Sequence, residues 1–520
     1  AGPLSHAVRP ASYIEINNFY TATVYEKGAE LCRMLQTLLG QDAFRNGIAL
    51  YFERHDGEAA TVENFITAMA DASGRNLTQF MRWYTQNGTP EIACSLDYDA
   101  HAKTARLKVS QVLPPTPGQG SKEPMHIPLK VGLIGANGDE LPLKLDGEFV
   151  PDGLLEVTER EQVFEFEDIP APPTPSILRD FSAPVRVTTS LKPEQMEFLM
   201  IHDSNPFNRW QAAQTYATNL IASAARNGLE LGPVGGTQAA RLAQALEPTL
   251  RDETLAPTYR AEALKLPSES DIARELGRNV DTDAILTARN TLRANVSAAM
   301  ADTLLGIYDS TAMDGAFSPD PESAGLRALR NAALDLMSAT GTDEATDRAF
   351  RHYRAATNMT DAITTLSILS HIPSPAREEA LEDFYARWQD DPLVLDKWFA
   401  VQARAARPDS VETAYRLLSH PKFSLKNPNR VRALIGSFAM ANPSGFNRAD
   451  GAGYRFLADQ ALKIDGFNPH VSARLLGAFE SWKTLEAGRQ AHAKAALECL
   501  SGAKLSTDAY EIVTKTLGSA

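Results

Sequence analysis

Apolar residues recur at helical spacing over about the first 90 positions of the chain. In the stretch EKGAELCRMLQTLLG, Leu31, Leu35 and Leu38 fall on one helical face, and Gly40 follows as a C-terminal cap. Two more helices are predicted in QDAFRNGIALYFERH and TVENFITAMADASG, the second with Thr61 as its N-cap. This part of the chain is therefore predicted to be helical.

Between about residues 90 and 190 the pattern changes to a period of two. In ARLKVSQV, one face carries Leu107, Val109 and Gln111, and the residues between them face the other way. Further short strands, IPLKVGLIG and QVFEFEDI, are separated by Gly, Pro and Asp turns. This spacing predicts a small β-sandwich, and PAPPTPSILRDFSAP is predicted to be an extended strand or connector that follows it.

From about residue 191 to the end, helical patterns follow one another with connections of only a few residues. Three of these helices begin with Asn-Pro, at Asn205, Asn427 and Asn468. Asn caps the first free N–H groups, and Pro suits the first helical position. No sequence repeat of fixed length is visible, but short-linked helices over this length indicate an irregular α-solenoid. The whole pattern predicts a multidomain α+β protein with domains at 1–89, 90–190 and 191–520.

Charge and cysteine usage limit the partners and the compartment. The net charge is −14, which argues against nucleic acid and anionic membrane as the main partners and favours peptides or small molecules. Cys32, Cys94 and Cys499 lie far apart and form no C-x-x-C motif. A reducing compartment, and hence the cytoplasm, is the simpler interpretation. No apolar run reaches the roughly 18 residues that a membrane span needs.

Common catalytic motifs are absent from the sequence. There is no G-x-S-x-G, no phosphate-binding glycine loop and no H-E-x-x-H, and no two of the ten histidines are four residues apart. His55 beside Asp56 invites a catalytic interpretation, but an ordinary surface histidine is favoured because no third polar partner is visible.

Several long blocks nevertheless resemble one family. NNFYTATVYEKGAEL, LYFERHDG and FMRWYTQNGTP are similar to consecutive blocks of the bacterial aminopeptidase N family of gluzincin zinc aminopeptidases, and the similarity continues to the C-terminus. The resemblance implies that residues 1–89 are the C-terminal helical part of a thermolysin-like catalytic domain. The β-sandwich and the helical domain follow in the family's order.

The family's metal site has no counterpart in this sequence. The resemblance implies that the H-E-x-x-H helix and the third zinc ligand, a Glu, lie upstream of AGPLSHAVRP. We therefore expect zinc and peptide substrates in the complete enzyme, with the upstream half of the catalytic domain as a partner. This chain alone is expected to bind no zinc and to be inactive.

The resemblance also implies roles for two tyrosines. The family tyrosine that matches Tyr25 donates a hydrogen bond to the oxygen that becomes negative when zinc-bound water attacks the peptide carbonyl. A phenol suits this task because it is a donor that stays protonated near neutral pH. Tyr20 matches a second tyrosine, which lines the substrate cleft. The alternative for both is aromatic packing at the start of a helix.

Two arginines of the helical domain are candidate substrate-binding residues. Arg474 falls at the edge of the apolar stripe of the helix that begins at Asn468, and Arg432 flanks the stripe of the helix that begins at Asn427. In the resembling family, basic residues at matching positions face an internal chamber and could attract the carboxylate end of a peptide. The alternative is a structural salt bridge to an acidic neighbouring helix.

Two functions from different classes follow from these observations. The first is the C-terminal portion of a zinc metalloaminopeptidase, which hydrolyses N-terminal residues from peptides and to which this chain contributes Tyr25. The second is a non-catalytic helical-repeat module that binds a peptide or protein.

Overall fold

A computed structural model describes residues 5–11, 13, 15–116, 118–228, 238–313 and 315–518 of the chain. It contains two compact units, Ala1–Gln211 and Ala212–Ala520. The division falls inside one helix, Pro206–Asn227. The domain boundaries that the sequence suggests after residues 89 and 190 stay predictions.

The first unit begins with short turns and helices, as the periodicity predicts. Leu31, Leu35 and Leu38 are buried, Gly40 follows with a φ of +81°, and Thr61 caps its helix through the backbone N–H of Asn64. These local predictions are confirmed. The elements are a 3-10 turn Ile16–Phe19, a π-helical turn Thr23–Lys27, and the helices α1 Gly28–Leu39, α2 Gln41–His55, α3 Val62–Ser73 and α4 Arg82–Thr85.

The next part of the first unit is the predicted β-sandwich. The strands are β1 Glu91–Asp99, β2 Thr104–Val112, β3 Ile127–Ile134, β4 Glu140–Leu141, β5 Lys144–Leu145, β6 Glu148–Phe149, β7 Leu154–Val157, β8 Glu161–Phe166, β9 Thr174–Ile177 and β10 Arg186–Thr189. One sheet has the strand order β10-β1-β2-β8, in which β1 pairs with β10 in parallel. A second sheet has the order β4-β3-β7, with β9 also paired to β3, and β5 pairs with β6.

The alternation predicted for β2 is confirmed. Leu107 and Val109 are buried, and Gln111 is buried with them because its amide donates to two backbone carbonyl oxygens. A single hydrophobic core contains residues from α1, the segment before β1 and both sheets, among them Leu31, Trp83 and Leu129. The first helices and the sandwich therefore support one another.

Helices with short connections make up the rest of the described chain. Asn205, Asn427 and Asn468 cap their helices through backbone N–H groups, as predicted. The helices are α5 Pro193–His202, α6 Pro206–Asn227, α7 Gln238–Arg251, α8 Pro257–Ala263, α9 Glu269–Leu276, α10 Thr282–Ala299, α11 Ala301–Ser310, α12 Pro321–Ser338, α13 Asp343–Ala355, α14 Met359–Ser370, α15 Pro375–Trp388, α16 Pro392–Arg404, α17 Ser410–Leu418, α18 Pro428–Val431, α19 Ser437–Ala441, α20 Pro443–Phe446, α21 Ala452–Asp465, α22 Pro469–Leu476, α23 Ala487–Ser501 and α24 Thr507–Leu517.

Two details of these helices differ from the sequence pattern. The helix that begins after Asn427 contains a π-helical turn, Arg432–Gly436, between α18 and α19. The helix that begins after Asn468 is short, because α22 ends at Leu476 and is followed by 3-10 turns. None of the helices in the described ranges is long and apolar enough to cross a bilayer.

A buried arginine joins the sandwich to the first residues of the helical region. The Arg179 guanidinium donates to Glu140 at 2.6 Å and to Asp203 at 3.0 Å, and its Nε donates to Ser176 at 2.9 Å. Gly132 lies directly beneath it, since a Cβ atom there would be 2.1 Å from Cζ of Arg179. We call this set the Arg179 network.

We expect Arg179→Met to destabilise the first unit by about 3–5 kcal/mol, because the side chain of Asp203 is 0% exposed and would lose its cation. Burial already raises the pKa of the Asp203 carboxyl, and Arg179 acts against this. Scanning calorimetry would measure the loss. The matched control is Arg106→Met, which breaks an exposed pair with Glu165 and should cost far less stability. Equal losses in the two variants would contradict the importance of the Arg179 network.

Candidate functional site

Tyr20 and Tyr25 are brought together at the beginning of the first unit. Tyr20 follows the 3-10 turn, and Tyr25 lies in the π-helical turn Thr23–Lys27. Their ring centroids are 6.4 Å apart with an angle of 31° between the ring planes. Tyr20 is 53% and Tyr25 59% exposed. Within the described part of the chain, neither phenol is buried by packing.

The Tyr25 turn is held at its N-terminal end by Thr21. The Thr21 hydroxyl accepts a hydrogen bond from the backbone N–H of Val24 at 3.3 Å, and its carbonyl oxygen accepts from that of Tyr25 at 3.1 Å. This is the contact of an N-cap, which satisfies an N–H group that the helix itself cannot pair. π-helical turns are rare and occur frequently at functional sites.

The C-terminal end of the same turn is held by Lys27. Its ammonium group donates to the carbonyl oxygen of Gly88 at 2.7 Å and lies 5.6 Å from the ring centroid of Trp83. Trp83 is fully buried, and its indole N–H donates to the carbonyl oxygen of His126 at 2.8 Å. Gly88 has a φ of +88°, a conformation that favours glycine. The turn is thus tied to the segment that leads into β1.

A second lysine lies close to Lys27. The Lys122 ammonium donates to the carbonyl oxygens of Asn87 and Pro114 at 2.8 and 2.6 Å and to the Thr116 hydroxyl at 2.8 Å. Burial, with repulsion from Lys122 as a smaller cause, lowers the pKa of Lys27 to about 8. Burial also lowers the pKa of Lys122. In the described ranges, neither lysine forms an ion pair with a carboxylate.

The two candidate arginines belong to the second unit. Arg432 opens the π-helical turn and is exposed; its guanidinium donates to the side chain of Asn429. The acidic neighbour Asp396 pairs instead with the buried Arg430, at 3.1 Å. Burial raises the pKa of the Asp396 carboxyl, and Arg430 and, after it, Arg432 act against this rise, so Arg432 also lies within electrostatic reach of Asp396.

Arg474 lies on α22 and is exposed, although Val471 and Leu475 on the same helix are buried. Among the described residues, no hydrogen bond or ion pair is found for its guanidinium. The helix lies beside the Arg432 turn, since a Cβ atom on Gly436 would be 3.7 Å from Cδ2 of Leu475. Both guanidinium groups are thus presented to solvent from neighbouring elements of the second unit.

Comparisons with known proteins cover almost the whole chain. Residues 2–84 match the peptidase family M1 domain, residues 88–190 a domain of unknown function with an Ig-like fold, and residues 193–518 a domain of unknown function with ARM repeats. Aminopeptidase N of Escherichia coli K12 is 40% identical over 99% of the chain, and that of Caulobacter vibrioides is 43% identical over 100%. The chain belongs to the aminopeptidase N family. It spans 59% and 58% of the lengths of these two relatives, respectively. It corresponds to the C-terminal portion of the proteins in this family.

A solved aminopeptidase structure has the same fold over almost the whole of this chain. A crystal structure of Legionella pneumophila aminopeptidase A in complex with aspartic acid matches with a TM-score of 0.88 and 29% identity, over 99% of this chain and 59% of that one. The Ig-like and ARM-repeat descriptions confirm the predicted sandwich and α-solenoid.

The described residues do not provide a zinc site. No group of three or more His, Cys, Asp or Glu side chains in the described ranges is placed to hold a metal ion. Cys32, Cys94 and Cys499 are all free thiols. The residues present therefore do not fit the metal that the aminopeptidase N family implies.

Sequence reasoning missed Thr21 and Lys27 as parts of the site. Thr21 carries only half of a capping-box signal, since a Val and not a Glu or Gln stands three residues later. Lys27 gives no local signal at all, because its acceptor on Gly88 is 61 residues away in the sequence.

We expect the stability of the first unit to rise with pH through the titration of Lys27. The native pKa of about 8 lies below the ordinary value of 10.5, so between these values the unfolded chain binds a proton that the native chain does not. The free-energy cost of burying the charged Lys27 ammonium group is present in full below pH 8 and decreases as the pH approaches 10.5. The thermal midpoint of the wild type, relative to Lys27→Met, should therefore increase from pH 7 to pH 10.

The control for this titration is Lys426→Met, which removes an exposed lysine. Its midpoint should keep a constant offset from the wild type over the same range. A constant offset for Lys27→Met as well would show that Lys27 does not titrate in this window.

Proposed function

We propose that this chain is the C-terminal portion of a zinc metalloaminopeptidase that hydrolyses N-terminal residues from peptides, and that Tyr25 is its catalytic contribution. The proposal rests chiefly on one observation: in the segment that matches the peptidase family M1 domain, an exposed phenol stands on a turn anchored at both ends. The relatives that cover the whole chain are aminopeptidases N, which does not favour the non-catalytic binding module.

Tyr25 stabilises the transition state by donating one hydrogen bond. When a peptide carbonyl is attacked, its oxygen gains negative charge, and a donor already aimed at that position lowers the barrier without reorganising. The phenolic O–H is such a donor. The anchors at Thr21 and Lys27 fix the backbone from which it projects, so the hydroxyl stays in place while its ring remains accessible to substrate.

Tyr20 shapes the substrate cleft beside Tyr25. Its ring lies at 6.4 Å, within contact range for an aromatic pair, and is about half exposed. A ring in this position contacts the bound residue in both the ground state and the transition state. Its role is therefore in binding and in the choice of substrate.

Arg432 and Arg474 attract the carboxylate end of a peptide substrate. Both guanidinium groups are exposed on the same region of the second unit, and Asp396 is occupied by Arg430. Arg side chains bind carboxylates through a fork of parallel donors. On a chain with a net charge of −14, two such arginines mark a local positive site.

In the complete enzyme the zinc ligands are contributed by residues outside this chain, and the upstream half of the catalytic domain is its partner. The domains are 1–89, 90–190 and 191–520, and the proposal includes no nucleic-acid or membrane partner. The widely spaced cysteines favour the cytoplasm.

The isolated chain should bind no stoichiometric zinc and should not hydrolyse amino-acid anilides, because its described residues lack a metal-ligand set. Atomic absorption and a chromogenic anilide assay on the purified chain test this together. One zinc per chain accompanied by turnover would contradict the proposed division of the site.

Tyr25→Phe in the complete enzyme should lower kcat about 10²–10³-fold, the usual cost of losing one oxyanion donor. KM and the thermal midpoint should change little, because the ring remains. The matched variant Tyr20→Phe should act more on KM than on kcat. Steady-state kinetics of both variants on one series of anilides measures kcat and KM. A near wild-type kcat for Tyr25→Phe would contradict the catalytic role and indicate that Tyr25 only packs.

Arg432→Gln and Arg474→Gln should each raise KM about tenfold for peptides with a free C-terminal carboxylate, the scale of one charge-assisted hydrogen bond. Amino-acid anilides, which have no such carboxylate, should be unaffected. Arg404→Gln, at the exposed end of α16, is the control. Equal effects on peptides and anilides would argue against carboxylate binding.

A further inference from the structure

The segment that carries His6 is fixed against the rest of the first unit. The backbone N–H of Arg9 donates to the carbonyl oxygen of Tyr84 at 3.0 Å. Val8 is buried, and its Cγ1 would lie 3.8 Å from a Cβ atom on Gly28, the first residue of α1. His6 is therefore held close to the beginning of α1 and is not a freely moving surface residue.

The His6 ring forms two hydrogen bonds whose directions follow from the partners. Its Nδ1 lies 2.7 Å from the carbonyl oxygen of Ala7, and its Nε2 lies 2.8 Å from the Thr21 hydroxyl. A carbonyl oxygen can only accept, so Nδ1 donates, and in the neutral ring Nε2 must then accept. The Thr21 hydroxyl therefore donates to His6 and keeps its lone pairs for another donor.

That other donor is a backbone N–H of the π-helical turn Thr23–Lys27, which carries Tyr25. The Thr21 hydroxyl accepts from Val24 N–H at 3.3 Å, while its carbonyl oxygen accepts from Tyr25 N–H at 3.1 Å. We infer that His6 and Thr21 are positioning residues for Tyr25: the imidazole orients the Thr21 hydroxyl, and Thr21 fixes the first N–H groups of the π-helical turn. This inference rests on the proposed catalytic role of Tyr25.

The consequence of this arrangement is kinetic. An oxyanion donor is effective only when its hydroxyl is held close to the position of the developing charge, and a shift of about 1 Å can cost as much as 10²-fold in rate. Tyr25 is largely exposed, so its position depends on the backbone of its turn. Loosening Thr21 should therefore lower kcat and leave KM nearly unchanged.

Two pairs of variants in the complete enzyme test the inference. Thr21→Val removes the hydroxyl at nearly constant shape, and Thr21→Ser retains it. His6→Leu removes the acceptor, and His6→Gln retains one. We expect Thr21→Val and His6→Leu to lower kcat about 5–10-fold with KM within twofold, the scale set by the loss of one cap. The two conservative variants should stay within about twofold of the wild type.

The chain offers a matched control in Thr61. Its hydroxyl caps α3 by accepting from the Asn64 N–H at 3.3 Å, the same contact as at Thr21. Thr61→Val should lower the thermal midpoint as Thr21→Val does, but it should leave kcat unchanged. A fall in kcat with Thr61→Val as large as that with Thr21→Val would show a general structural effect and overturn the inference.

A double-mutant comparison separates this inference from the proposed function. If Thr21 acts through Tyr25, Thr21→Val should change kcat less than twofold in the Tyr25→Phe background. An equal loss in both backgrounds, with Tyr25→Phe alone strongly impaired, would overturn the positioning role and leave the proposed function standing. An unimpaired Tyr25→Phe enzyme would overturn both. If Thr21→Val does not fold, His6→Leu gives the same comparison.

Discussion

The hydrogen bond from Lys27 to the Gly88 carbonyl oxygen is the contact on which the geometry of the candidate site depends. A side chain that meets substrate must be exposed, so its own packing cannot hold it. The turn that carries Tyr25 is instead held at its C-terminal end by the hydrogen bond from Lys27 to Gly88. At its N-terminal end it is held by Thr21. Gly88 leads into β1, and α1 and the sandwich share one hydrophobic core with Trp83. The sandwich thus supports the proposed site and supplies none of its proposed side chains.

The proposed binding residues of the second unit are held in place by a different physical route. An ARM-repeat domain stacks short-linked helices, so the side chains on its exposed surfaces are presented from a rigid framework. Arg432 opens a π-helical turn there and Arg474 stands on the neighbouring α22. Neither carries the ion pair that would neutralise it, in the part of the chain that the structure describes. The proposed catalytic and binding residues therefore stand on separate elements of the fold.

Much of the fold could be predicted from the sequence because its signals are local. Gly40, Thr61 and Asn427 mark helix ends through the chemistry of one or two neighbouring residues. The π-helical turns could not be predicted, since each covers only five residues and differs from an α-helix in which carbonyl oxygen accepts from each backbone N–H. The Arg179 network and the Lys27 anchor join residues far apart in the sequence, and no local pattern reports such contacts. Tyr25 is a candidate only because its surrounding block resembles a known family.

The central claim is that the phenol of Tyr25 meets the oxygen that becomes negative during peptide hydrolysis. The most direct measurement is a crystal structure of the complete enzyme with a phosphinic dipeptide analogue, whose tetrahedral phosphorus imitates the attacked carbonyl carbon. We predict that Oη of Tyr25 lies at hydrogen-bond distance, about 2.5–3.0 Å, from a phosphinyl oxygen. An Oη that points away from the phosphinyl group, with another donor in its place, would contradict the account.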